Sequence, residues 1–450
     1  MQRLKPLIFP VSELLLLLMG GLLFWIVRPS GTITGMYLSA PVLYSLLAMV
    51  LLSLPVLMFF FQKPLHEASA KEYLYLIPLA LMLISTNYTI STSVNMTNLF
   101  LVSAGIYLIL NRKLRLNVPF LWFYYAYFLT LAVSWFWSDD PAWGWVLLRR
   151  SLTWLSIPFA FCAFNLNKEQ WQQLMLVVMR SAVIFAILSC LTWWYNINLY
   201  DLNMADFFDT KKHLISRMDC SYLVYEWNPY QHPSFNAIGL TIGLISGIYL
   251  TRERIVHWAE LLGYLLMVVL LVVLTQSRIG IVMTSVTMLL GIGVFLPRKR
   301  AWLIGYGCVL FLLAVTAVWA WFNVKTSMSL DPARQHLFSD ALSHIKQHPW
   351  LGVGLGDLPP TIYNHDFGNP HNQFLGDWQQ SGLPALLALL AMLGSVAYTA
   401  VKQRNLPLGM FLIVMIFFMM IEMPFNLIKG ICYFVYFTCF FVRSDIQSEK

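Results

Sequence analysis

The chain is short of charge. Only 11% of its 450 residues are Asp, Glu, Lys or Arg, against 59% hydrophobic residues and a mean hydropathy of +0.66. Soluble domains carry roughly 25% charged residues, so this composition excludes an ordinary water-soluble fold. The apolar runs also lack the period-two alternation that a membrane β-barrel needs. Cysteine is scarce: Cys162, Cys190, Cys308, Cys432 and Cys439 fall inside apolar runs and only Cys220 lies in a loop. That leaves no disulfide framework and no zinc pattern. Internal repeats, low-complexity tracts and a soluble domain are missing as well.

What the chain does have is a succession of apolar runs of about 16 to 24 residues, the spacing a hydrocarbon core of about 30 Å imposes on helices. Lipid cannot satisfy an open backbone, which leaves helices as the spanning element. The expected fold is therefore an all-α polytopic membrane protein of about 12–14 transmembrane helices, with 1–450 forming a single integral membrane domain. The net charge of +8 does not point to nucleic acid, because the basic residues cluster in short connections. These are MQRLK at the start, 63–72, 111–117, 167–170, 251–254, 297–300, 401–404 and the tail from Arg443. The positive-inside rule makes them cytoplasmic, with both termini inside. The first run, behind Arg3 and Lys5, resembles a signal peptide without a small-residue cleavage site and reads as an uncleaved anchor.

Three longer connections fall on the opposite side, at 138–150, 196–233 and 323–380. The third holds five of the nine histidines (His336, His344, His348, His365, His371), together with Arg334 and a glycine turn from Gly352 to Gly356. Its front half predicts an amphipathic helix. Asp331 suits the N-cap, Pro332 the first turn, and Leu337, Ala341 and Ile345 form an apolar stripe. Pro349 should end that helix near His348. Imidazoles trade protons near neutral pH and a guanidinium grips phosphate through two parallel hydrogen bonds, so the loop carries the means for chemistry at a membrane surface.

Within it, His371 in Asn369-Pro370-His371-Asn372 is the leading candidate for a general base, the alternative being a histidine that caps a helix or orders the loop. Arg278, between the apolar runs 261–274 and 279–295, either snorkels to the interface or serves an anion site with Gln276 and Ser277. His232 opens another span in a polar HPSFNA box, and Arg149 and Arg150 are interface anchors or anion contacts. His344 and His348 stand at i, i+4 but lack a third ligand at a familiar spacing, so no metal site is expected. The glycine turn follows no β-strand and so is not a nucleotide loop; it brings backbone close to a ligand or to helix ends. Trp143, Trp145, Trp227 and Trp378 are belt residues or platforms for sugar rings.

The ordered set TQSR (275–278), DPAR (331–334), HPWLGVGLGD (348–357) and NPHNQFLGDWQQSGLPALL (369–387), with HPSFNA at 232–237, resembles the O-antigen ligase and polymerase superfamily. The likeness is strongest from Gln231 to Leu393. It implies a GT-C-like membrane glycosyltransferase that moves a glycan from undecaprenyl diphosphate to an acceptor hydroxyl outside the bacterial cytoplasmic membrane. Inversion is implied, without cofactor, nucleotide sugar or metal. The resemblance assigns Arg278 and Arg334 to the lipid diphosphate and His371 to acceptor activation. Further substrate contacts would come from His232, Asn372, Gln276 and Arg150. The implied partners are the lipid-linked donor, a glycan, lipid A-core or protein acceptor, and membrane lipids, with no nucleic acid. Ligase, repeat-unit polymerase and protein O-oligosaccharyltransferase all remain open. A glycan flippase is the competing class, although the internal repeats frequent in transporters are missing.

Overall fold

The computed structural model describes residues 16–22, 24–25, 69–88, 90–112, 114, 118–199, 224, 233–275, 277–296, 332–357 and 370–442. Among these, 84% are helical and none forms a strand, so the all-α expectation holds. In chain order the helices are α1 (Ala70–Ser85), α2 (Ile90–Asn111), α3 (Leu121–Ser134), α4 (Pro141–Ser151), α5 (Thr153–Phe161), α6 (Lys168–Leu199) and α7 (Pro233–Arg252). There follow α8 (Trp258–Leu274), α9 (Arg278–Phe295), α10 (Pro332–Gln347), α11 (Gln373–Lys402), α12 (Leu406–Ile421) and α13 (Ile428–Phe441). Helices α2, α6, α7, α9 and α11 are long and apolar enough to cross a membrane. Helices α8, α12 and α13 are apolar but shorter.

The chain divides into two compact units: Met1–Asn117 with Ala160–Thr284 and Arg443–Lys450, and Val118–Phe159 with Ser285–Val442. In the first, α7 is buried along Ser234–Leu250 and packs on α6 and α8. Gly243 makes room for the Tyr264 ring of α8, whose hydroxyl donates to the Leu240 carbonyl at 2.7 Å. Arg180 of α6 pairs with Glu260 of α8 at 3.2 Å. This meets the requirement that a charge among apolar helices find a partner.

The second unit is centred on aromatic rings. Trp154 lies 4.8 Å from Phe425, 5.2 Å from Tyr127 and 5.3 Å from Tyr124. Helix α3 packs along α11, and α12 joins α11 and α13. Between membrane helices such contacts hold by close packing, since lipid is as apolar as the core.

Helix α11 is broken at Gly382, which takes φ 75° and ψ −175°. The break reverses the chain. Past it, α11 and α12 form an antiparallel hairpin: the Asn405 N–H donates to Ala400 O at 2.8 Å, and Gly409 faces Ala400. Continued at helical rise, that pairing sets Met420 opposite Leu389. Yet Asn372 Nδ2 donates to Met420 O at 3.2 Å. In a straight helix Asn372 would stand about 26 Å beyond Leu389. The limb Gln373–Ser381 therefore folds back into the unit as a re-entrant half-helix.

Candidate functional site

The re-entrant limb organises the site, and its own break explains the glycine motif. Pro384 has no N–H and Gly382 is non-helical, so the carbonyls of Gln379 and Gln380 lose their usual donors. Val353 N–H and Gly354 N–H replace them, each at 2.9 Å. In return Leu383 N–H donates to Pro349 O at 3.1 Å, and Trp378 Nε1 donates to the same carbonyl at 2.9 Å. The approach is close enough to require glycine: a Cβ on Gly382 would lie 2.1 Å from Trp350 O, and one on Gly352 2.5 Å from Gln380 O. The turn meets the helix ends, one of the two uses expected for it. Asp357 closes the motif by accepting from Ser138 Oγ (2.8 Å), Asp139 N (2.7 Å) and Asp140 N (2.7 Å).

Helix α10 starts at Pro332 and ends at Gln347, one residue before His348; of the expected apolar stripe, Ala341 and Ile345 are buried and Leu337 is half-buried. Its proposed cap Asp331 lies outside the described residues. His344 Nδ1 meets Gln379 Nε2 at 2.9 Å, which fastens α10 to the re-entrant limb. His344 thus has a structural partner, and His348 is exposed.

At the start of the limb, Asn372 is the N-cap, its Oδ1 accepting from Leu375 N–H at 3.1 Å. Before it, His371 adopts φ 49°, in the left-handed region that non-glycine residues occupy rarely and often at functional sites. His371 Nδ1 lies 3.1 Å from Glu422 Oε2, the side chains being 31% and 15% exposed. A carboxylate only accepts, so Nδ1 is the donor of this pair, and a ring without a second proton carries its basic lone pair on Nε2. A histidine oriented this way by an acid is the general arrangement of a positioned base. Glu422 was not among the residues the sequence singled out. The available signal was a lone carboxylate between two apolar helices, α12 and α13.

Four residues beyond Glu422, the Asn426 carbonyl accepts from Arg150 Nη1 at 2.9 Å. The guanidinium lies 5.3 Å over the Trp143 ring, so one face of that ring is already occupied. Burial, and then the neighbouring Arg149 charge, hold the Arg150 guanidinium below its ordinary pKa. Arg334 stands in the first turn of α10, about three turns before His344. Arg278 belongs to the first unit, exposed at the first position of α9, where Ser277 Oγ accepts from Gly280 N–H at 3.1 Å. His232, Gln276 and Trp227 lie outside the described residues. The second unit thus brings together His371, Asn372, Glu422 and, through Asn426, Arg150.

Residues 262–390 match the family model described as O-antigen ligase. The matched stretch contains Arg278, Arg334, the glycine motif and His371. No curated protein matches the chain.

Proposed function

From a chain that joins the O-antigen ligase and polymerase superfamily through residues 262–390, we infer a membrane glycosyltransferase. It moves a glycan from undecaprenyl diphosphate onto an acceptor hydroxyl outside the bacterial cytoplasmic membrane. The observation that carries this reading is the His371–Glu422 pair at the head of the re-entrant limb.

The acceptor hydroxyl gives its proton to His371 Nε2 as its oxygen attacks the anomeric carbon. The bond from that carbon to the diphosphate oxygen breaks, and the electron pair leaves with the diphosphate. Attack opposite the leaving group inverts the anomeric centre. Glu422 stabilises the imidazolium that forms, and no carboxylate acts as nucleophile. Arg278 and Arg334 hold the charge gathering on the diphosphate. Both termini lie in the cytoplasm and the reaction is on the opposite face.

The test is transfer in proteoliposomes loaded with lipid-linked glycan, with a glycan, a lipid A-core and a protein acceptor in separate arms. Label on one acceptor, with its new linkage inverted by NMR, supports the reading. Movement of labelled lipid between leaflets without transfer would make the chain a transporter.

A further inference from the structure

Two residues after His371, at the head of the re-entrant limb, begins a continuous chain of buried hydrogen bonds that the proton transfer itself does not use. Phe425 N–H donates to Gln373 Oε1 at 2.8 Å. Gln373 Nε2 donates to Asp377 Oδ1 at 2.7 Å, and the Tyr127 hydroxyl donates to Asp377 Oδ2 at 2.7 Å. All four residues are buried.

The direction of this chain is set at one end. A backbone N–H can only donate, so Gln373 must turn its oxygen to Phe425 and its amide N–H toward position 377. Position 377 must therefore accept from Gln373 and also from the Tyr127 hydroxyl. A carboxylate meets both demands. An amide at 377 leaves either Gln373 or the Tyr127 proton without an acceptor, in a place water does not reach.

The two ends of the chain are informative. Gln373 stands two residues after His371, and Phe425 three residues after Glu422. Their bond ties together the two segments that carry the base and its acid, and the bonds through Asp377 to Tyr127 fix the limb to α3. We propose that Asp377, Gln373 and Tyr127 are positioning residues that hold His371 against Glu422. This rests on the transferase reading given above for its kinetic consequence, although not for its geometry.

The polarity argument yields a specific rescue. With Gln373→Glu and Asp377→Asn together, a carboxylate at 373 accepts from Phe425 N–H and from the new amide, whose oxygen accepts from Tyr127. All three bonds return with the charge moved one turn along the limb. Asp377→Asn alone orphans a donor, and Gln373→Glu alone opposes two carboxylates.

The full chain in proteoliposomes is compared as wild type, both single variants, the double variant and Tyr127→Phe. A base displaced by about 1 Å lowers kcat on the order of 100-fold. That loss is expected in both single variants with the KM for donor little changed, a smaller loss in Tyr127→Phe, and recovery of most of the rate in the double variant. Wild-type kcat in the single variants, a double variant no better than they are, or losses confined to KM overturn the proposal. Losses that follow thermal unfolding in every variant also overturn it, because they indicate a fold contribution alone.

Carbethoxylation of His371 by diethyl pyrocarbonate, read by mass spectrometry, is measured on the same samples without any turnover. Faster labelling in the single variants, returning to the wild-type rate in the double variant, supports the brace; equal rates throughout overturn it. A wild type without turnover that still gives this labelling pattern removes the transferase reading and leaves the brace standing.

Discussion

Replacing Glu422 with Gln preserves the side chain's size and its reach to His371 Nδ1 but removes its charge. In the resting state the loss is small, since Gln still presents an oxygen to the same N–H. The cost arises when Nε2 takes the acceptor's proton and the ring becomes cationic. At the observed 3.1 Å, opposite unit charges attract by about 5 kcal/mol at an effective dielectric constant near 20. Side chains 31% and 15% exposed share that field with solvent, which reduces the useful part to roughly 2–3 kcal/mol. At 1.36 kcal/mol per tenfold, kcat should fall by roughly 30- to 150-fold. Because the charge pair exists only as the proton moves, the KM for lipid-linked donor should change little. The assay is steady-state release of undecaprenyl diphosphate from reconstituted protein at saturating acceptor. A Glu422→Gln enzyme within about twofold of wild type, or a loss residing wholly in KM, refutes the role given to this carboxylate.

Gly382→Ala should lower the stability of the purified protein by at least about 2 kcal/mol, because φ 75° is strained for alanine and its Cβ meets Trp350 O; an unchanged melting temperature contradicts the break as drawn. Arg334→Lys should lose most turnover, since an ammonium cannot reproduce two-pronged phosphate binding, and near-wild-type rates discard the clamp. The proposed arginine clamp needs no metal, so chelators should leave the rate intact; loss with EDTA and recovery with a divalent ion would contradict it.

Much of the site was legible in the chain because its signals are local. Pro332, Ala341, Ile345 and Pro349 define α10 by spacing alone, and the glycine run announces a backbone that must come close to something. His371 stood out as an imidazole in a polar tract beside an apolar run. Glu422 did not, because its partnership with His371 joins positions far apart in sequence. The reversal at Gly382 was hidden too. Hydropathy averages across Gly382-Leu383-Pro384 and reports one continuous span, whereas a missing N–H and a positive φ turn it into two limbs. Asp377 and Gln373 looked like ordinary polar residues at a membrane boundary until Phe425 and Tyr127 gave them direction. Among the described residues five helices are long and apolar enough to cross a membrane, while α12 with 16 residues and α13 with 14 are shorter than the roughly 20 that a bilayer asks for.

The central claim is a glycosyl transfer with His371 as its base. The most direct measurement compares undecaprenyl diphosphate release from a lipid-linked glycan by wild type and His371→Ala, reconstituted side by side with acceptor present. Release by the wild type and its near-complete loss in His371→Ala is the predicted result. Equal release by both proteins contradicts the assignment of the base, and release by neither with any acceptor contradicts the transferase.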